Sequence, residues 1–182
     1  MRLKGLVLFM ALAVSAYAGV SDNFFKAVVA GNVKLAERHL LKGVDINARY
    51  TSEKAEMSYG ETAVIIAASA GNKEMLKMLL KRGADPNITN EGYSAIIYAS
   101  MYGHTDVVKM LVENGADINQ IHLDGTTPLI NAVLTGNIEL VKILLEMGAD
   151  TSIKDYGKKT AEDYAKKDEI KELLKNGVKS EK

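Results

Sequence analysis

A pair of glycines that recurs four times at a constant interval is the feature that most constrains this chain. The two glycines of each pair are twelve residues apart, and the second always begins a Gly-x-Asp motif. Successive pairs are separated by 40, 32 and 33 residues. Such a period is typical of stacked repeats, in which each unit buries its apolar face against the next. The pairs are Gly31 with Gly43, Gly71 with Gly83, Gly103 with Gly115, and Gly136 with Gly148.

The segment between the two glycines of each pair predicts an amphipathic helix. The fourth, fifth, eighth and ninth positions after the first glycine are apolar in 15 of 16 cases, with lysine and glutamate between them. This spacing forms one apolar stripe along an α-helix. The second glycine is expected to end the helix, because glycine adopts the left-handed C′ conformation without a steric penalty. The aspartate and asparagine that follow can hold the turn through side-chain bonds to backbone N–H groups.

A shorter helix is predicted before each first glycine. It begins at a residue that can cap a helix N-terminus, and an alanine four residues before the glycine allows close helix approach. A helix of about 8 residues is too short to be stable alone in water, so stability is expected to come from stacking. The predicted capping residues are Asp22, Thr62, Ser94 and Thr127, and the alanines are Ala27, Ala67, Ala99 and Ala132.

These motifs make the chain resemble the ankyrin-repeat family. Residues 124–129, DGTTPL, match the family's D-G-x-T-P-L opening. Residues 103–112, GHTDVVKMLV, match its G-H-x-E/D-V-V-K-x-L-L run, and residues 115–119, GADIN, match its G-A-D-x-N close. The resemblance covers residues 22–177 and implies an all-α solenoid of about five helix-turn-helix units joined by β-turn and hairpin loops.

The resemblance also sets the expected domain organisation. Residues 19–178 are predicted to form the repeat domain, followed by a polar tail at 179–182. The first unit lacks the opening turn motif and the last is short and rich in lysine, so both are expected to cap the stack. The predicted repeats are about 22–48, 60–90, 91–122, 123–155 and 156–177.

Two departures from the family pattern affect these expectations. The family's histidine after T-P-L is replaced by isoleucine at Ile65, Ile97 and Ile130, so apolar packing is expected to replace its hydrogen bonds. An insert, RYTSEKAEMSY at residues 49–59, lengthens the first connection by about eight residues. A long loop on a compact stack is often functional, and it is equally compatible with a tolerated surface insertion.

The N-terminus has the three parts of a secretory signal peptide. Arg2 and Lys4 give a positive start, nine apolar residues follow at 6–14, and Ala16-Tyr17-Ala18 supplies small residues for cleavage. The alternative is an uncleaved anchor, but spanning a bilayer takes about 20 apolar residues. We therefore predict a signal peptide at 1–18 and a periplasmic or secreted protein that has no membrane segment after cleavage.

The composition excludes several classes of function. Removal of the two basic residues before the cleavage site leaves 21 basic and 23 acidic side chains, a net charge of −2. Nucleic-acid binding requires a basic surface, which this balance does not predict. The chain contains no cysteine, so disulfides, thiol catalysis and cysteine metal sites are absent from it. A capped solenoid of near-neutral charge is expected to be monomeric.

The sequence gives no positive argument for an enzyme or a resident cofactor. His39 lies on an apolar stripe and predicts a packed or rim histidine, and His104 predicts a structural role in a turn. His122 is expected on an exposed tip, where it is the most exposed histidine candidate. The Asp-x-Asn pairs predict turn stabilisation rather than a calcium site, which needs six or more converging oxygens. No phosphate loop or catalytic motif is present.

The expected binding surface is a concave strip formed by the turn tips and the exposed side of the shorter helices. Tyrosine is a rigid, amphipathic residue that often dominates interface energies. An alternative is that Met101 and Tyr102 pack against the next repeat instead. The candidate partner-binding residues are Tyr59, Glu61, Glu91, Tyr93, Met101, Tyr102, Leu123, Asp124, Thr126 and Leu134.

Three functional hypotheses follow from the resemblance and the signal peptide. The first is a non-catalytic exported adaptor that binds a protein partner of unknown identity through the concave face. The second is a periplasmic factor for haem handling or oxidative-stress defence, since small periplasmic relatives of this appearance sometimes accompany a catalase. Haem would need an axial His or Tyr in an apolar groove, and the candidates are His122, Tyr93 and Tyr102. The third is a toxin-neutralising or host-directed secreted protein.

Overall fold

The computed structural model describes residues 21–51 and 59–176, which form a stack of helix pairs. The predicted signal peptide at 1–18 and the tail at 179–182 lie outside these residues. Within the described ranges, no helix is long and apolar enough to cross a membrane. The helices are α1 (21–29), α2 (Val33–Leu40), α3 (Ala63–Ser69), α4 (Lys73–Lys81), α5 (Ala95–Met101), α6 (Thr105–Glu113), α7 (Pro128–Thr135), α8 (Ile138–Glu146), α9 (Ala161–Tyr164) and α10 (Asp168–Asn176).

The helices are arranged in two parallel rows. The first helix of each pair packs against the first helix of the next, so α3 contacts α5, α5 contacts α7, and α7 contacts α9. The second helices form the other row, in which α2, α4, α6, α8 and α10 contact one another in order. We call α3, α5 and α7 the inner helices and α4, α6 and α8 the outer helices. This arrangement confirms the predicted all-α solenoid.

The core lies between the two rows, as the apolar stripes predict. Ile65, Ile97 and Ile130 are completely or almost completely buried, so apolar packing does fill the position of the family's histidine. Leu35 is the exposed member of the predicted stripes, because α2 has a single outer-row neighbour, α4, among the described elements. Fully burying an isoleucine or leucine contributes about 1.5–3 kcal/mol, and these layers recur along the whole stack.

The capping predictions are confirmed in part. The hydroxyl oxygens of Thr62 and Thr127 accept bonds from the N–H groups three residues later, at 3.4 and 3.3 Å. Ser94 occupies the N-cap position of α5, but its hydroxyl makes no cap bond. The prediction for Asp22 is wrong, because the helix already includes residue 21. The sequence reading missed the caps of three outer-row helices, where a side-chain oxygen accepts an N–H bond at 3.0 Å: Asn32, Asn72 and Asn137.

The Gly-x-Asp turns have the predicted geometry. The four glycines at the helix ends all have φ between 85° and 90°, a region that costs other residues steric energy. In each turn the aspartate Oδ1 accepts a bond from the N–H two residues later, at 2.8–2.9 Å. The turn role predicted for the Asp-x-Asn pairs is therefore confirmed.

The asparagines of these turns also link one repeat to the next. Each asparagine Oδ1 accepts a bond from the aspartate N–H of the following turn, at 2.9 Å in all three cases. We call these bonds the asparagine ladder, and it holds the outer turns in register. The linked pairs are Asn47 with Asp85, Asn87 with Asp117, and Asn119 with Asp150.

The ends of the insert form a small hairpin that the sequence reading did not predict. Strand β1 (Arg49–Thr51) pairs antiparallel with β2 (Tyr59–Thr62). The ring of Tyr50 lies 4.8 Å from that of Phe25, so β1 covers part of the first helix. The Arg49 guanidinium donates bonds to the carbonyl oxygens of Gly60 and Thr89, both at 3.0 Å. Residues 52–58 of the insert lie outside the described residues.

The asparagine ladder predicts a measurable stability difference. Asn87→Ala removes the acceptor for the Asp117 N–H and the donor to the Gly115 carbonyl at 2.8 Å. We expect this variant to lose about 1–2 kcal/mol of unfolding free energy, measured by urea denaturation. The control is Gln120→Ala, because among the described residues the Gln120 side-chain amide donates to the adjacent Ile121 carbonyl alone, at 3.4 Å. Equal urea midpoints for the two variants would contradict a stabilising role of the ladder.

Candidate functional site

The exposed side of the inner helices differs in charge from the rest of the chain. The inner helices contain no Asp, Glu, Lys or Arg, whereas every outer helix contains both signs. The turn tips that lead into them, residues 60–62, 91–94 and 123–127, contain three acidic residues and no Lys or Arg. We call the exposed side of the inner helices together with these tips the inner strip. It contains nine of the ten predicted partner-binding residues; the tenth, Tyr59, lies in β2, and its side chain is not among those described.

Three tyrosines form a row of nearly parallel rings on the inner strip. The Tyr93 and Tyr98 centroids are 4.8 Å apart at an interplanar angle of 17°. The Tyr98 and Tyr102 centroids are 6.2 Å apart at 8°. Tyr98 and Tyr102 share one face because they are four residues apart on the helical register of α5. We call Tyr93, Tyr98 and Tyr102 the tyrosine row.

Tyr98 is the site residue that sequence reasoning missed. Its spacing of four residues from Tyr102 is the sequence signal that could have identified it. Burial raises the pKa of the Tyr98 hydroxyl, and the negative charges of Glu61 and Glu91 raise it further. The negative charges of these two carboxylates therefore favour the protonated form of the Tyr98 hydroxyl.

The structure brings the four predicted apolar contacts to the surface of the inner strip. The exposed fractions are 38% for Met101, 59% for Tyr102, 60% for Leu123 and 52% for Leu134. Tyr102 leaves more than half of its surface in solvent, whereas most of Met101 is covered, so the alternative that the two pack against the next repeat stays open. Leu123 also packs over the preceding tip, where a Cβ on Gly92 would lie 2.6 Å from its Cγ.

The expectation that His122 is exposed is wrong. Its side chain is 9% exposed, because the ring packs 4.0 Å from the Tyr93 ring and Nδ1 lies 2.8 Å from Asp124 Oδ1. Nε2 is buried and has no hydrogen-bond partner in the described part of the chain. His122 therefore packs against Tyr93 at one end of the tyrosine row and is too buried to contact a partner.

Thr126 is also a supporting residue, contrary to its prediction as a contact. It is buried, and its hydroxyl and N–H both donate to Asp124 Oδ1, at 2.6 and 2.9 Å. Burial raises the pKa of the Asp124 carboxyl, but the bonds from Thr126 and His122 outweigh it and lower the pKa to about 2. Asp124 thus organises the tip while most of its side chain stays exposed.

The two remaining carboxylates of the inner strip, Glu61 and Glu91, differ in how exposed they are. Glu61 is half-buried beside the row, and burial raises its pKa. Glu91 is exposed at the tip, where its φ of 47° lies in the left-handed region. Neither carboxylate pairs with a Lys or Arg among the described residues.

The other two histidines have the structural roles that the sequence predicts. His39 is buried on its apolar stripe, and burial lowers its pKa, with Lys42 and Arg38 adding to the effect. His104 Nε2 lies 3.1 Å from the Ser69 carbonyl oxygen and so links two repeats. Within the described ranges, no group of three His, Asp or Glu side chains is placed to hold a metal ion.

Two of the three candidate haem ligands on the inner strip are covered by neighbouring rings. The His122 nitrogen that would face the iron is buried, and Tyr93 lies between His122 and Tyr98. Of the three candidates for an axial ligand, Tyr102 alone has a largely exposed ring.

The charge on Asp124 predicts a pH-dependent contribution to stability. Its pKa of about 2 lies below the ordinary unfolded value, so the ionised carboxylate stabilises the fold above about pH 4, and this effect is lost as the pH falls towards 2. We expect Asp124→Asn to lower the urea midpoint near pH 7 by the equivalent of about 1 kcal/mol, since the exposed side chain is screened by solvent. The difference from wild type should shrink near pH 3. The control Glu113→Gln, an exposed residue at the end of α6, should change neither midpoint; a pH-independent effect of Asp124→Asn would contradict the argument.

Comparison with known proteins identifies the repeat. A family model described as "Ankyrin repeats (3 copies)" matches residues 24–122, and one described as "Ankyrin repeats (many copies)" matches residues 111–165. Among curated proteins, the chain is similar to "Ankyrin repeat, SAM and basic leucine zipper domain-containing protein 1" of Ovis aries and of Bos taurus. Both are 31% identical over 70 residues, which is 38% of this chain and 13% of each relative. The chain therefore matches a small part of these relatives.

Proposed function

The chain belongs to the ankyrin-repeat family, whose repeats indicate a protein-protein interaction module, and we propose that it is a non-catalytic adaptor that binds a protein partner through the inner strip. The observation that carries this proposal is the tyrosine row, with the exposed ring of Tyr102 at its end, on a surface whose helices contain no charge. The matched relatives are much longer than this chain, and the proposal rests on the residues of this chain alone.

The exposed apolar side chains supply the affinity. Burying apolar surface contributes about 25 cal/mol per Å², and the side chains of Met101, Tyr102 and Leu134 all have surface left to bury. Tyrosine is among the residues that most often dominate interface energies, because a large apolar ring carries a polar hydroxyl. A contiguous surface of this kind is typical of a macromolecular contact rather than of a small-molecule cavity.

The fold supports binding by holding these side chains in place before the partner arrives. Tyr98 is held between two rings, and Tyr93 is held between Tyr98 and His122. Side chains that are already ordered lose less conformational entropy on binding, and this improves affinity. A stack of short helices therefore presents a pre-organised surface.

Export is part of the same proposal. The charged start, the apolar run and the Ala16-Tyr17-Ala18 site support cleavage after Ala18 and a periplasmic or secreted location. The described core begins at Phe24, so this cleavage removes none of the described core residues.

The binding proposal predicts the behaviour of an affinity bait. The protein, produced from the full chain, is expected to capture a partner from an envelope extract of its own source cell. Tyr102→Asp should abolish this capture, because it replaces the exposed ring at the end of the tyrosine row with a charged carboxylate. The control Leu41→Asp changes an exposed apolar residue beyond the end of α2 and should leave capture intact.

Both variants are first checked by circular dichroism and urea denaturation for an unchanged fold. A partner lost equally from both baits, or retained by both, would contradict binding through the inner strip.

The export proposal predicts the mature N-terminus. Cells that express the full chain should release a product beginning at Gly19 into the periplasmic or extracellular fraction. Ala18→Leu should leave the signal peptide uncleaved, so that the full-length chain accumulates, because signal peptidase requires a small residue at this position. N-terminal sequencing and fractionation measure both results. An uncleaved wild-type chain would contradict the signal peptide.

A further inference from the structure

The charges of the inner strip have one sign. Glu61, Glu91 and Asp124 are its only charged residues, counted over residues 60–70, 91–102 and 123–135. The outer-row helices carry both signs and pair them across repeats, as Lys73 does with Asp106 at 2.7 Å and Arg82 with Glu37 at 2.6 Å. The acidic strip is therefore a local feature in a chain whose formal net charge is zero.

Two of these carboxylates lie beside the tyrosine row. Glu61 and Tyr93 each directly follow the glycine of a tip, so they occupy the same position in neighbouring repeats. Glu91 lies two residues before Tyr93 in the same tip, and the tip of Glu61 packs beside it, since a Cβ on Gly60 would lie 3.3 Å from Asn90 Oδ1. In addition to burial, the charges of both carboxylates raise the pKa of the Tyr98 hydroxyl. Within the described ranges neither is paired with a basic side chain, so both are available to a partner.

Among the described residues, Arg49 is a basic residue that reaches this edge. Its guanidinium donates to the carbonyl oxygens of Gly60 and Thr89, at 3.0 Å each, and so joins two tips. Because main-chain oxygens hold the Arg49 side chain, it forms no ion pair with Glu61 or Glu91.

A tyrosine face beside unpaired carboxylates matches the chemistry of a guanidinium group. Arginine stacks its planar group on aromatic faces and forms bidentate bonds with carboxylates, whereas the ammonium of lysine is a strongly hydrated point charge. Met101 and Leu134 leave apolar surface exposed on the same face, and apolar residues beside an arginine of the partner could pack on them. A negative strip disfavours phosphate groups and hence nucleic acid.

We propose that the partner presents an arginine flanked by apolar residues, with its guanidinium on the exposed ring of Tyr102, at the end of the tyrosine row, and paired with Glu61 and Glu91. The flanking apolar side chains cover Met101 and Leu134. This inference rests on the proposed function and specifies the partner segment that the inner strip recognises.

The test selects peptides without knowledge of the partner. A phage-displayed library of random peptides is selected on the protein produced from the full chain, with the Tyr102→Asp variant as the counter-selection. The expected pool is enriched in arginine next to Leu, Ile, Met or Val. The most enriched peptide is then synthesised with arginine or with the neutral isostere citrulline, and binding is measured by fluorescence anisotropy. Citrulline should weaken binding by about tenfold, because it removes the charge and keeps the shape.

Paired variants of the protein locate the effect. Glu61→Gln with Glu91→Gln should weaken the arginine peptide by about tenfold and leave the citrulline peptide unchanged. The matched control, Glu113→Gln with Glu146→Gln, removes the same charge from exposed residues at the ends of α6 and α8 and should leave both peptides unchanged. Urea denaturation confirms that all the variants remain folded.

The outcomes separate this inference from the proposed function. Peptides that require Tyr102 but show no excess of arginine, or that bind equally well with citrulline, overturn the inference and leave the proposed function standing. The same holds if the two double variants behave alike. A library from which nothing enriches on wild type above Tyr102→Asp overturns both.

Discussion

The packing of one helix pair on the next is the interaction on which the rest of this structure depends. The inner helices contain seven or eight residues, so none of them is long enough to be stable alone in water. Each becomes stable because its apolar side is covered on both flanks, and Ala67, Ala99 and Ala132 keep the helices close enough for this contact. The stack also fixes the spacing of the tips. The tyrosine row exists because the tip that carries Tyr93 and the helix that carries Tyr98 are held at one distance.

Polar groups set the register of this packing and add to its stability. Apolar contacts tolerate more variation in geometry than a hydrogen bond, which requires one partner at one distance. The asparagine ladder fixes the turns that follow the outer helices, and His104, bonded to the Ser69 carbonyl, fixes the turn between α5 and α6. At the tips, the Tyr156 N–H donates to the Asp124 carbonyl and joins the fourth unit to the fifth. Polar contacts thus join repeats at the outer turns, at the turn between the two helices of a pair and at the tips, and the apolar layers fill the space between them.

The sequence predicts the features that depend on neighbours within one repeat. Helix position, the C′ glycines and the Asp-x-Asn turns follow from period and local turn chemistry, and these predictions are confirmed. The features that depend on side-chain packing rather than on the repeat period were missed or misread. Tyr98 becomes part of a site only because Tyr93 stacks on it, and His122 is buried only because Tyr93 and Asp124 enclose it. The strands at the ends of the insert were missed because the pairing of residue 49 with residue 62 leaves no alternating apolar pattern in either segment.

The fold itself does not require the tyrosines of the inner strip. The position of Tyr102, directly before the glycine that joins the two helices of a pair, is occupied in the neighbouring units by Ala70 and Thr135. The position of Tyr98 is likewise occupied by Ile66 and Asn131, so the same stack forms with side chains of quite different size and polarity. A ring that leaves more than half of its surface in water, at a position where alanine suffices for packing, adds little to stability. We therefore propose that its contribution is to partner contact, with the helices on either side holding it at the surface.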